Sequence, residues 1–332
     1  MSPRYGEFVP RRTSIAPAAI ALAGCLTGQY DPTEAGAAPG RSDNAEPLYQ
    51  PSGPASAQNP AYSPDGANLL FTQFRAGYNA GGASLNLMPS SGGAPQTLLQ
   101  NGDQAAVNLP GAAWNAANGL ITFAYDASDR DEIWTMKPGQ QPTKVTTHSG
   151  TSHYTEPSFA PAGDWIVFQD NDNQAGNTSR GSIWKVRTAG GAPVLLVDGP
   201  GSGTDNRQPN WSPAGNKIVF QTRSASGGWH LATIGPDGGP VTALSSGNDE
   251  DTDASFGPNG DWVVYSSDHA RTAHAQIYVR RTDGTGSPIR VTTSEVYDGA
   301  PSWSPDGKWI AFESGGDGTA PTGIWRIPAK TT

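Results

Sequence analysis

The chain has 332 residues, 42 of them glycine and 29 proline, with 15% charged side chains and a formal net charge of -9. So much glycine and proline interrupts the backbone too often for long helices and points to short strands joined by turns. The acidic balance argues against a nucleic-acid phosphate backbone as partner, and the single cysteine, Cys25, excludes an intrachain disulfide or a multi-cysteine metal site.

Taken in chain order, Arg4, Arg11 and Arg12 precede a short apolar run, Ile15 to Ala23, that leads into Leu22-Ala23-Gly24-Cys25. This is the layout of a secretory leader. The last four residues resemble the bacterial lipobox, which implies removal of residues 1–24 and lipidation of Cys25. The competing reading is a stray cysteine after an apolar stretch. The run is shorter than the roughly 20 residues a membrane-spanning helix needs. Arg11-Arg12 would suit twin-arginine export, although the residues after the pair match that signal poorly. Residues 25–46 are small, polar and rich in Gly, Pro and Ala, and read as a flexible tether.

Beyond the tether the sequence repeats. The segments NPAYSPDGANLLF (59–71), LPGAAWNAANGLITF (109–123), EPSFAPAGDWIVF (156–168), QPNWSPAGNKIVF (208–220), DASFGPNGDWVVY (253–265) and APSWSPDGKWIAF (300–312) share one pattern. Their first aromatics, Tyr62, Trp114, Phe159, Trp211, Phe256 and Trp303, lie 45 to 52 residues apart. Each unit continues into a further strand, such as EIWTM (132–136) or GIWRI (323–327), and five continue into a fourth. Four antiparallel strands, a to d, repeated six times predict an all-β fold, a six-bladed β-propeller over residues 47–330.

The last unit ends without room for strand d, while Pro47–Gln50 occupies the place of a d strand that has no blade of its own. It is expected to pair beside Gly323–Ile327 and close the ring, since an open edge exposes unpaired backbone groups. Twelve repeat aromatics on strands a and b, with Trp134, Trp184, Tyr278 and Trp325 on strand c, are expected to pack between blades.

The a-to-b and c-to-d turns are short and uniform, whereas the b-to-c and d-to-a connections are long and varied, so the face carrying the latter is the expected binding face. Its acids include NDEDTD (248–253), with Glu250, Asp251 and Asp253; related connections carry His153, Tyr154, Glu156, Asp205, Arg207 and Asp298. These d-to-a links feed the innermost strands, so Tyr154, Glu156, Asp205, Arg207, Glu250, Asp251, Asp253 and Asp298 are the candidate ligand-binding residues at a channel mouth. Carboxylates converging there could hold a cation or a basic group; the bland alternative is solvated, turn-forming acids. Asp170-Asn-Asp172-Asn-Gln174 lacks the glycine and distal glutamate of an EF-hand. No His-Glu-x-x-His, Gly-x-Ser-x-Gly, phosphate loop or dinucleotide fingerprint is present, and no catalytic residue or cofactor is assigned.

The Trp-Ser-Pro-Asp-Gly repeats, intact at 303–307 and nearly so at 62–66 and 211–215, resemble those of the TolB-type six-bladed propellers over residues 47–330. The resemblance implies the fold; function varies within it, from binding proteins to peptidase gating domains and lyases. TolB carries an α/β domain before its propeller, in the place where this sequence shows only the tether. The expectation is a monomeric, non-enzymatic binding protein of the cell envelope, lipid-anchored at Cys25, with an envelope protein or glycan as partner. If the cell is Gram-negative, Leu26 after Cys25 fits the periplasmic side of the outer membrane. The alternative is a propeller enzyme, lyase or hydrolase, acting on an envelope polysaccharide.

Overall fold

The structure, a computed structural model, describes residues 40–331 apart from 101, 128–129, 150–151, 172–179, 270–272 and 316–320. Cys25 and the leader lie outside the described residues, as does the run from Asp172 to 179. The described residues form six four-stranded antiparallel sheets. The innermost strands are Ser56–Tyr62, Ala106–Val107, His153–Phe159, Thr204–Trp211, Asp251–Phe256 and Asp298–Trp303. No helix among the described residues is long and apolar enough to cross a membrane.

Apolar residues alternate along the strands and fill the layers between blades. Leu70 and Leu85 of the first blade pack with Ile121, Phe123 and Met136 of the second. Val264 and Ile277 of the fifth pack with Trp303, Ile310 and Phe312 of the sixth. Phe71, Phe123, Phe159, Phe168, Phe220 and Phe312 are fully buried, each worth about 1.5–3 kcal/mol in apolar burial. Trp211 and Trp303 also donate their indole N–H to the carbonyls of Gly215 and Gly307, tying strand a to its own turn.

The ring closes through the N-terminal strand. Glu46–Tyr49 pairs antiparallel with Gly323–Pro328, in the register Pro47 to Trp325 and Tyr49 to Ile324. Leu48 is buried, and the Tyr49 hydroxyl donates to Gln73 Oε1 at 2.9 Å in the first blade. Residues 40–45, part of the tether by composition, lie along the sixth blade. There Arg41 is buried, its guanidinium 5.3 Å from the Phe312 ring and 5.1 Å from that of Trp325.

Blade two departs from the repeat. Its inner strand is only Ala106–Val107, and Trp114 joins the sheet through an isolated bridge to Ile121. Pro110 has no N–H to give a ladder and Gly111 has φ +86°, so the regular strand stops before the aromatic.

Candidate functional site

Three residues before each first aromatic, the inner strand leaves its ladder. Asn59, Gly111, Glu156, Gln208, Asp253 and Ala300 occupy this position in the six blades, and all have positive φ, between 46° and 86°. In five blades the strand register shifts at this point. A bulge of this kind re-aims side chains and frees a backbone N–H. In three blades the N–H is taken up from the preceding blade, by the residue that follows the last aromatic of strand b. Asn59 N–H donates to Glu313 Oε2 at 3.0 Å, Gln208 N–H to Gln169 Oε1 at 3.2 Å, and Asp253 N–H to Gln221 Oε1 at 3.1 Å.

The ring of bulges forms the wall of a cup. Asn59, Glu156, Gln208 and Asp253 are partly exposed, whereas Ala61, Ala113, Ser158, Asn210, Ser255 and Ser302, two residues further along, are buried. Exposure thus falls from the first level to the second. The floor is built across the axis: Asn210 Nδ2 donates to Pro110 O at 2.8 Å, two blades away. A Cβ on Gly111 would stand 2.7 Å from Asn210 Nδ2 and 2.8 Å from Ser255 Cβ. Only glycine fits there.

Hydrogen bonds link the wall. Gln208 N–H donates to Glu156 Oε2 at 2.9 Å, Gln208 Nε2 donates to Asp253 Oδ1 at 2.7 Å, and Asp253 N–H returns to Gln208 Oε1 at 3.1 Å. On the other side, Tyr78 from a b-to-c loop donates its hydroxyl to Glu313 Oε1 at 2.9 Å and stands edge-on to Tyr297, with ring centroids 6.1 Å apart. Burial pushes Glu313 up to about 8, helped by the Asp253 charge and opposed by the bonds from Tyr78 and Asn59. Burial likewise pushes Glu156 to about 8 against the opposing charge of Arg207, and raises Asp253. Glu156 is partly exposed as a residue, yet its carboxyl accepts the Gln208 N–H within the wall, where desolvation outweighs the stabilising contacts.

The structure brings only part of the candidate set together. Glu156 and Asp253 belong to the cup. Asp205 is buried beside it, bound by Arg207 at 2.9 Å and Arg223 at 3.2 Å, and accepts the Gly181 N–H. Both arginines lie over the Trp229 ring. Glu250 accepts the Trp229 N–H, and Asp251 is buried with its carboxyl pushed up by desolvation. Tyr154 stacks on His148 at 4.3 Å and tilts against Phe168, between blades two and three. Asp298 is fully buried, in a bidentate pair with Arg41 at 2.8 and 3.1 Å. No group of three or more His, Cys, Asp or Glu side chains among the described residues is placed to hold a metal ion. Glu313, Gln208, Tyr78 and Gly111 complete the site. The repeat alignment placed Gln208 and Gly111 at the same position as Glu156 and Asp253, the one signal that pointed to the ring.

Residues 110–273 match the family model described as the TolB beta propeller domain. An uncharacterized protein of Agrobacterium fabrum, Atu1656, is 26% identical over 215 residues, covering 61% of this chain and 67% of that protein. The Tol-Pal system protein TolB of Gluconobacter oxydans is 36% identical over 103 residues, 29% of this chain but only 22% of that protein. Among solved structures, putative TolB from Agrobacterium tumefaciens superposes with a TM-score of 0.57 at 18% identity, covering 84% of this chain and 92% of that one. An oligogalacturonate lyase in complex with manganese gives 0.57 at 11% identity, covering 88% and 95%. At these identities the superpositions speak for the fold alone. With the repeats, the matched domain and the six closed blades together, the chain is a six-bladed β-propeller whose residues 110–273 match the TolB beta propeller domain.

Proposed function

We propose that the protein is a lipid-tethered binding protein of the cell envelope, and that it holds a protein or glycan partner in the cup and on the loops around it. The observation that supports this most is the cup itself: a recess floored by Asn210 and walled by Glu156, Gln208 and Asp253 on the loop-rich side. Carboxyls and amides on a rigid bulge ring offer both donors and acceptors, and rigid elements position such groups better than loops do. The aromatic and arginine rim at Trp229, Arg207 and Arg223 suits the edge of a contact surface. Cys25 serves as the anchor in this reading. The test is capture of envelope proteins and glycans on the full-length chain in detergent, repeated with Glu156→Gln/Asp253→Asn and with Asp237→Ala on the opposite face. A partner retained by both variants would place binding elsewhere.

A second reading rests on the raised carboxyls. Glu156 and Glu313, each pushed to about 8, hold a proton at neutral pH and so match what a general acid requires. The corresponding function is an enzyme acting on an acidic or neutral envelope polysaccharide. Depolymerisation of such a polymer by the wild type, lost in Glu156→Gln, would establish it in place of the binding role.

A further inference from the structure

Glu313 lies at the rim of the cup between blades six and one, and its cover comes from two loops. Tyr78 stands on the b-to-c loop of blade one, residues 75–82, and Tyr297 on the connection into blade six. The loop's base is fastened: Arg75 N–H donates to Gly82 O at 3.2 Å, and the Arg75 guanidinium pairs with Asp103 at 2.8 Å and donates to Gly102 O. Its tip is a small turn, closed by Ala76 N–H to Ala80 O at 3.0 Å. Gly77, Asn79 and Gly81, on either side of Tyr78, all have positive φ. The Tyr78 ring is held by its hydroxyl bond to Glu313 Oε1, a 3.4 Å contact with the Tyr297 hydroxyl and the edge-on stacking. Tyr297 is itself fixed, because its ring folds over Gly299, where a Cβ would collide with the phenol.

We propose that Tyr78 is a gate: its loop closes the cup over Glu313 and swings away to open it, using the glycines beside the ring as hinges and Tyr297 as the post. A fastened base, a permissive tip and one polar catch are the parts such a device needs. The proposal stands whether or not a partner occupies the cup.

The catch is sensitive to charge. The groups facing Glu313 are the Tyr78 and Tyr297 hydroxyls, the Asn59 N–H and the Asp253 carboxylate. Closing withdraws Glu313 from water next to Asp253, and both effects favour its protonated form; the bonds donated by Tyr78, Asn59 and Tyr297 offset them only in part. Opening lets water return and lowers the pKa towards the ordinary carboxylate range. The closed form thus binds the proton more tightly, so acid favours closure and rising pH through about 8 favours opening.

The test places a nitroxide on Ala76→Cys, an exposed position on the gate loop, in the full-length chain carrying Cys25→Ser. Between pH 6 and pH 9 the mobile component of the spectrum should rise at least two-fold, the rise levelling off above about pH 8. Glu313→Gln, which cannot ionise, should keep the pH 6 spectrum throughout. Tyr78→Phe, which loses the catch, should show the mobile component already at pH 6. A spectrum that does not change with pH in the wild type means a static plug and overturns the gate. A pH response that survives in Glu313→Gln overturns the assigned trigger. If Glu313→Gln does not fold, Tyr78→Phe decides alone: a spectrum identical to wild type at pH 6 overturns the proposal.

Discussion

Arg41 is the residue on which ring closure should depend most. Its guanidinium meets Asp298 at 2.8 and 3.1 Å, Asp43 at 3.0 Å through two bonds, and Ser314 Oγ at 3.0 Å. Asp298 has no exposed surface and Arg41 is 8% exposed, so the pair is a buried one. Replacing Arg41 by Ala strands the Asp298 charge, a change that costs about 3–5 kcal/mol in buried pairs. The two aromatic faces beneath the guanidinium lose their cation as well, and that loss is not simply additive. At roughly 2 °C per kcal/mol for a chain of this size, the melting temperature should fall by about 6–10 °C. The control is Arg187→Ala: its pair with Asp164 at 3.4 Å is exposed on both sides and should be worth less than about 1 kcal/mol. The double variant Arg41→Met/Asp298→Leu should recover only part of the loss, because Asp43, also buried, keeps its charge without the guanidinium. Calorimetry at pH 7 and fixed salt reads all three. A shift for Arg41→Ala no larger than that for Arg187→Ala would refute the view that this pair bolts the closing strand.

Three further outcomes are expected. Gly111→Ala, with positive φ and the floor within 2.8 Å, should destabilise the protein by about 2–4 kcal/mol. Gly119→Ala, with similar φ but open space around it, should cost only about 1–2 kcal/mol by denaturant melts. Glu156 has a folded pKa of about 8 against 4.5 ordinarily, so its contribution to stability is fully present below about 4.5 and lost as pH rises through 8; Glu156→Gln should flatten the fall in melting temperature over that window. Finally, Cys25→Ser should leave the protein unprocessed or move it out of the membrane fraction, and wild type that takes up no labelled fatty acid would remove the anchor from the proposal.

The blades were legible because turn chemistry and burial repeat together. Ser63 and Asp65, or Ser304 and Asp306, form the same side-chain bond within the same turn, and the aromatics follow at fixed offsets. The closing strand could be read from a deficit, since a fourth strand was missing at one end and spare at the other. The cup was only half legible. Its wall position is held by conformation, positive φ, and residues as different as Asn59, Gly111, Asp253 and Ala300 fill it, so no shared chemistry marks it in the sequence. Glu313 sits one residue past the repeat segment ending in Phe312, and nothing local shows that a buried N–H from the first blade waits for it. Arg41 lies in a stretch whose composition reads as a linker, while its partner Asp298 is 257 residues away. Long-range pairing of single residues leaves no periodic trace.

The route of the N-terminal segment has a directional consequence. Gly40 accepts a hydrogen bond from Glu295 N–H, at 2.7 Å, on the connection that enters blade six two residues before Tyr297. The backbone thus comes onto the propeller at the same end as the cup and beside its rim, not at the opposite pole. A propeller held by its N-terminal side would look back towards whatever holds it. Anything that fills the cup would then approach through the gap between the two, and the length of chain before Gly40 would set how wide that gap can open.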